Sequence, residues 1–166
     1  MYKTGDRVLY GIHGVCDVLG TDVRSSGNQN IEYYVLQPMK NPADRFYVPK
    51  HNSAALAKLR PLLSKSELDA LLSSPEIGTD PWIEDENQRK QRYKELINSG
   101  DRAALISMIK TLHIHKTTQL SLGRKFHLCD ENFLRDAENL LSNEFSVVLD
   151  IPQEAVGQYI INRISE

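Results

Sequence analysis

The hydrophobic period of this chain changes once, near Pro49. Before it, short β-branched and aromatic runs alternate with turn residues. After it, apolar side chains recur at three- and four-residue spacing. A run of strands followed by a run of helices points to an α+β chain built as two domains. The strand half contains Val8-Leu9-Tyr10, then Val15, Cys16, Val18 and Leu19 after Gly14. A turn cluster, Ser25 to Asn30, joins 21–24 to 31–36 and predicts a hairpin. A second turn, Lys40 to Asp44, precedes 45–49. So few residues in short strands suit a small, strongly bent antiparallel barrel, whose closure limits exposed edges.

The helical half opens with Ser64 and Glu67 at capping-box spacing, followed by a stripe of Leu68, Leu71 and Leu72. Ser73-Ser74-Pro75 stops that helix, and the stretch to Pro81 reads as a linker. The expected domains are therefore 1–75 and 76–166. A helix is predicted from about Trp82 to Asn98, with Asp80 as its N-cap and Gly100 as its end. Asp101 caps the next, in which Leu105, Met108, Ile109 and Leu112 share a face. The polar stretch from about Lys116 to His127 fits either helix or loop. Asp130 is the expected cap of a long helix with Leu134, Ala137, Leu141, Phe145 and Val148 on one face, and Pro152 begins a last one. Four such helices can cover one another's apolar stripes as a small bundle.

No apolar run approaches the ~20 residues that cross a bilayer, and the N-terminus lacks an apolar signal core. These features point to a cytoplasmic protein. Cys16 and Cys129 match no metal or redox spacing and read as free thiols. His113-Ile114-His115 invites a metal reading. On a helix, however, positions two apart lie about 200° around the axis, so the pair does not converge on one ion. No metal site, cofactor, small-molecule substrate or catalytic residue is expected, since neither a nucleophile elbow nor a phosphate-cradling glycine loop is present.

The net charge of −2 hides an asymmetry. Residues 88–129 hold nine basic side chains against two acidic ones, and residues 130–166 hold two against eight. Such runs are usually a solvated surface, but they also suit a basic face turned to a polyanion. The one tryptophan, Trp82, stands at a linker-to-helix junction just ahead of Arg89, Lys90, Arg92 and Lys94. A lone tryptophan is more often a buried anchor. Beside cations it also matches the equipment of minor-groove proteins that prise open a base step.

The segments GDRVLYGIHGVCDV (5–18), EYYVLQP (32–38) and VPKHN (48–52) resemble the N-terminal region of CarD/CdnL-type bacterial transcription regulators. The same module occurs in transcription-repair coupling factor. Trp82 with RYKELINSGD (92–101) and LISMIKTL (105–112) resembles the helical domain of that family. The resemblance runs along nearly the whole chain. It implies a Tudor-like barrel that binds the RNA polymerase β subunit, and a helical domain that reaches promoter DNA. In the family a tryptophan wedges into the minor groove at the upstream fork of the bubble and slows its collapse; Trp82 looks like that residue.

The resemblance further implies a DNA contact by Lys94 and a polymerase contact by Arg24, and the charges of Arg89, Lys90 and Arg92 are expected to add phosphate contacts beside Lys94. A second family arginine precedes the VP pair. Here that position is Tyr47, with Arg45 two residues earlier as a candidate substitute. Glu84, Asp85 and Glu86 would repel phosphate, so they are expected to face away from DNA or into the protein. The alternative reading is a generic protein-binding Tudor-like module joined to a helical scaffold or dimerisation domain.

Overall fold

The computed structural model describes residues 1–165 of the 166. The chain forms two compact units, Met1–Leu62 and Leu63–Glu166. The first is a five-stranded antiparallel sheet with β1 (Arg7–Tyr10), β2 (Val15–Ser26), β3 (Gln29–Pro38), β4 (Phe46–Pro49) and β5 (Leu59–Pro61), plus a short helix α1 (Ser53–Leu56). The strand order is β4-β3-β2-β1-β5. The sheet is open where a closed barrel was expected. Its edge strands, β4 and β5, are only four and three residues long. Short edges of this kind already offer little template for unwanted pairing.

The two runs expected at 15–19 and 21–24 form one continuous strand with an irregularity between Val18 and Gly20. The predicted hairpin closes through Gly27 and Asn28, with Ser26 opposite Gln29. Gly27 takes φ 62° there, the positive value that a two-residue connection demands. Val8, Cys16, Val18, Tyr34, Leu36, Val48 and Leu59 form the core of this unit. Tyr34 and Leu36 face that core, so Tyr33 and Val35 lie on the opposite face, as strand alternation requires.

The second unit consists of α2 (Lys65–Leu72), α3 (Glu86–Ser99), α4 (Arg102–Ser121), α5 (Leu128–Leu149) and α6 (Gln153–Ile164). The Ser64–Glu67 capping box forms as predicted. However, α2 belongs to the helical unit, because Leu68 and Leu72 are buried in its core. Asp69 of α2 also accepts from Arg163 of α6 at 3.1 Å. The boundary expected at residue 75 therefore moves to 62/63. Glu144 of α5 marks this start: its buried carboxylate accepts from Leu63 N at 3.1 Å and from Arg102 at 2.6 and 2.7 Å.

Asp101 caps α4 through Ala104 N, and Gly100 closes α3 in the left-handed conformation at φ 63°. The polar stretch after Lys116 is helix to Ser121 and then a connection to α5. Leu105, Ile106, Met108 and Ile109 are all buried, so α4 is covered on more than one side. No helix among the described residues is long and apolar enough to cross a membrane.

Candidate functional site

On the outer face of the sheet, opposite its core, Arg24 and Tyr47 meet. The Arg24 guanidinium lies 3.9 Å from the centre of the Tyr47 ring, and its Nε donates to Asp22 at 3.2 Å. Tyr33 meets Tyr47 edge to face at 6.4 Å. Register explains the grouping. Asp22 pairs with Tyr33 and Arg24 with Ile31 across β2–β3, while β4 brings Tyr47 opposite Val35. Both Arg24 and Tyr47 are exposed. Arg45, expected on the same strand face as Tyr47, lies outside β4 instead. Its Nη1 donates to the carbonyls of Pro42 and Asp44 at 2.7 Å each, which folds it onto its own turn.

In the helical unit, α3 begins at Glu86, four residues later than predicted. Asp85 is the cap and accepts from Gln88 N at 2.9 Å. Asp80 is not a cap; its N–H donates to Thr111 Oγ1 of α4 at 3.0 Å. Two residues earlier, Gly78 N donates to Ser107 Oγ at 3.4 Å. Two residues later, Trp82 stacks on His115 with ring centres 3.5 Å apart and planes 7° from parallel. Residues 78, 80 and 82 thus meet 107, 111 and 115. Two residues of extended chain advance about 6.6 Å and one helical step of four about 6.0 Å, so the strap and α4 stay in register. What reads as a linker in sequence is a strap that places the indole.

Trp82 is half-buried against the helical core, so it is neither sealed inside nor bare. The Arg89 guanidinium lies 4.7 Å from its ring centre. Arg89 itself corrects an expectation, because it is only 4% exposed and unavailable as surface charge. Its Nε and Nη2 donate to Asp130 at 2.9 and 3.1 Å, and its Nη1 to the Ile83 carbonyl at 2.9 Å. Asp130, expected to cap α5, sits instead in its first turn with 1% exposure. The cap position is His127, which makes no side-chain cap bond. A buried carboxylate needs a partner, and Arg89 supplies two bonds.

The cations left at the surface of α3 are Lys90, Arg92 and Lys94. Lys90 pairs with Glu86 at 3.1 Å and Arg92 reaches Glu95 at 4.0 Å. Tyr93 turns inward against Phe133, and burial pushes its phenol up to about 12. The acidic run does not enter the protein: Glu84, Asp85 and Glu86 are all exposed. Asp85 is engaged as the cap and Glu86 by Lys90, with Cys129 Sγ donating to it at 3.4 Å. Sequence reasoning missed the roles of His115 and Asp130. The only signal was His115 lying one α-helical step, four residues, beyond Thr111, which is invisible until the strap is known.

An exposed Arg–Tyr surface on a small sheet, followed by a helical unit with a braced tryptophan beside surface cations, defines a two-part binding protein. Comparison with family models specifies it further. Residues 2–62 match the CarD-like/TRCF RID domain and residues 71–161 match the CarD C-terminal domain. The chain belongs to the CarD family of RNA-polymerase-interacting, non-catalytic transcription regulators. No curated protein matches it.

Proposed function

We propose that this protein docks on the β subunit of RNA polymerase through the Arg24–Tyr47 face and stabilises the open promoter complex by presenting Trp82 at the upstream edge of the bubble. The observation that carries the reading is the position of Trp82: half-exposed and fixed just ahead of a helix whose surface holds Lys90, Arg92 and Lys94. Those cations suit phosphate contacts that place a protein without reading bases. Docking raises the local concentration of the helical unit near DNA, so a weak DNA contact suffices. A ligand shifts an equilibrium only by its differential affinity for the two states. A wedge that fits an opened step better than closed duplex by about 1.4 kcal/mol changes the open:closed ratio roughly tenfold.

The test pairs two measurements on the full chain. Trp82→Ala is expected to retain polymerase in a pull-down and to shorten open-complex lifetime. An unchanged lifetime contradicts the wedge. The family match favours polymerase over an unspecified protein partner, so the scaffold alternative has no observation of its own.

A further inference from the structure

We propose that His115 and the Arg89–Asp130 pair are positioning residues that clamp both faces of Trp82, so that the indole meets DNA as a rigid edge and not as a stacking platform. The inference rests on the reading that Trp82 contacts DNA, and it names how. The imidazole of His115 lies 3.5 Å from the indole centre and parallel to it. The Arg89 guanidinium lies 4.7 Å from the same centre. The guanidinium lies over the ring, and a face already covered by a parallel imidazole at 3.5 Å has no room for it, so the two groups take opposite faces. A base that stacks on an aromatic ring needs a free face; here neither is free.

Each clamp is itself held. Arg89 is fixed by two bonds to Asp130 and one to the Ile83 carbonyl, next to Trp82 in the chain. His115 projects from α4, and Phe126 packs beyond it with ring centres 6.2 Å apart. The strap bonds at Gly78 and Asp80 bring the backbone to the right height on α4. The side chain is therefore ordered before DNA arrives, and the entropy of ordering it does not weaken the binding step.

Trp82 is the only indole in the chain, which gives a clean optical reporter. A stacked imidazolium quenches indole emission, whereas neutral imidazole does so far less. The groups around His115 are Asp130, Arg89, Glu84 and His127, with Lys116 adjacent in sequence. Burial lowers its pKa, Asp130 opposes that, and Arg89 adds to it. Emission of the free protein is therefore expected to fall only as pH drops below the usual imidazole value of about 6.5. The change should vanish in His115→Phe, which keeps a ring and removes the proton site. Emission that ignores pH across this range in the wild type overturns the stack.

The functional arm uses polymerase and open-complex lifetime. His115→Ala is expected to keep the pull-down and melting temperature while shortening the lifetime about threefold, the order set by ordering one side chain during binding. His115→Phe should restore it. A phenylalanine variant as short-lived as the alanine variant overturns the clamp. So does a wild-type lifetime in His115→Ala alongside a shortened one in Trp82→Ala, and the wedge reading then survives. Unchanged lifetimes in both variants remove both proposals.

Discussion

Arg89 on α3 and Asp130 on α5 form a two-point ion pair at 2.9 and 3.1 Å, with side chains only 5% and 1% exposed. Removing one partner strands a buried charge. Arg89→Ala is therefore expected to lower unfolding free energy by about 3–5 kcal/mol. An apolar double replacement, Arg89→Met with Asp130→Leu, should recover much of that. Urea denaturation of the three proteins decides the matter. A cost below about 1 kcal/mol for Arg89→Ala would mean solvent reaches the pair.

The exposed cations of α3 behave differently. A side chain that neutralises one phosphate contributes about 0.9 to the slope of log K against log salt on duplex DNA. Lys94→Gln is expected to flatten the slope by about that much without altering stability. Fluorescence anisotropy over a salt series reads it, and an identical slope removes Lys94 from the set.

On the sheet, Arg24→Glu should abolish polymerase capture, since it reverses the charge at the tip of the Arg24–Tyr47 stack. Tyr47→Ala removes the ring beneath and should weaken capture less. Far-UV circular dichroism is expected to be unchanged in both. Wild-type capture by Arg24→Glu would move the docking surface elsewhere on the unit.

Glu138 of α5 supplies a pH test. A Cβ built on Gly157 of α6 would lie 3.1 Å from the Glu138 carboxyl group, so that acid fills the space the glycine leaves. Burial raises its pKa above 4.5, with Lys116 opposing and Glu131 adding to the shift. The fold thus favours the protonated acid. That contribution is complete below the unfolded value and disappears as pH rises through the folded one. Above the folded value the ionised carboxylate opposes folding. Glu138→Gln should raise Tm by a few degrees at pH 7 and leave it unchanged near pH 4.

Most of the fold is legible in the sequence because its signals are local. Alternating β-branched residues mark the β2–β3 hairpin, Ser64 with Glu67 marks the capping box, and Gly100-Asp101 marks the α3–α4 corner. The Arg24–Tyr47 pair is half legible. Arg24 and Tyr47 stand out separately, and only strand register shows that they touch. Several errors share one cause, partners distant in sequence, while Arg45 is misplaced by a local one, the carbonyls of its own turn. Asp130 reads as a cap until Arg89, 41 residues away, claims it. Asp80 reads as a cap until Thr111 takes its N–H. A count of charges treats Arg89 as surface, since composition cannot tell a solvated guanidinium from a buried one.

The strap from Gly78 to Trp82 also imposes a parity rule. Its N–H groups at Gly78 and Asp80, two residues apart, both meet α4, so deleting or inserting one residue there would put the strap out of step with the helix and take the indole off His115. A change of two residues would restore the facing and slide it by one helical turn. The aim of this tryptophan is thus encoded in an odd-or-even chain length as much as in the residues that touch it.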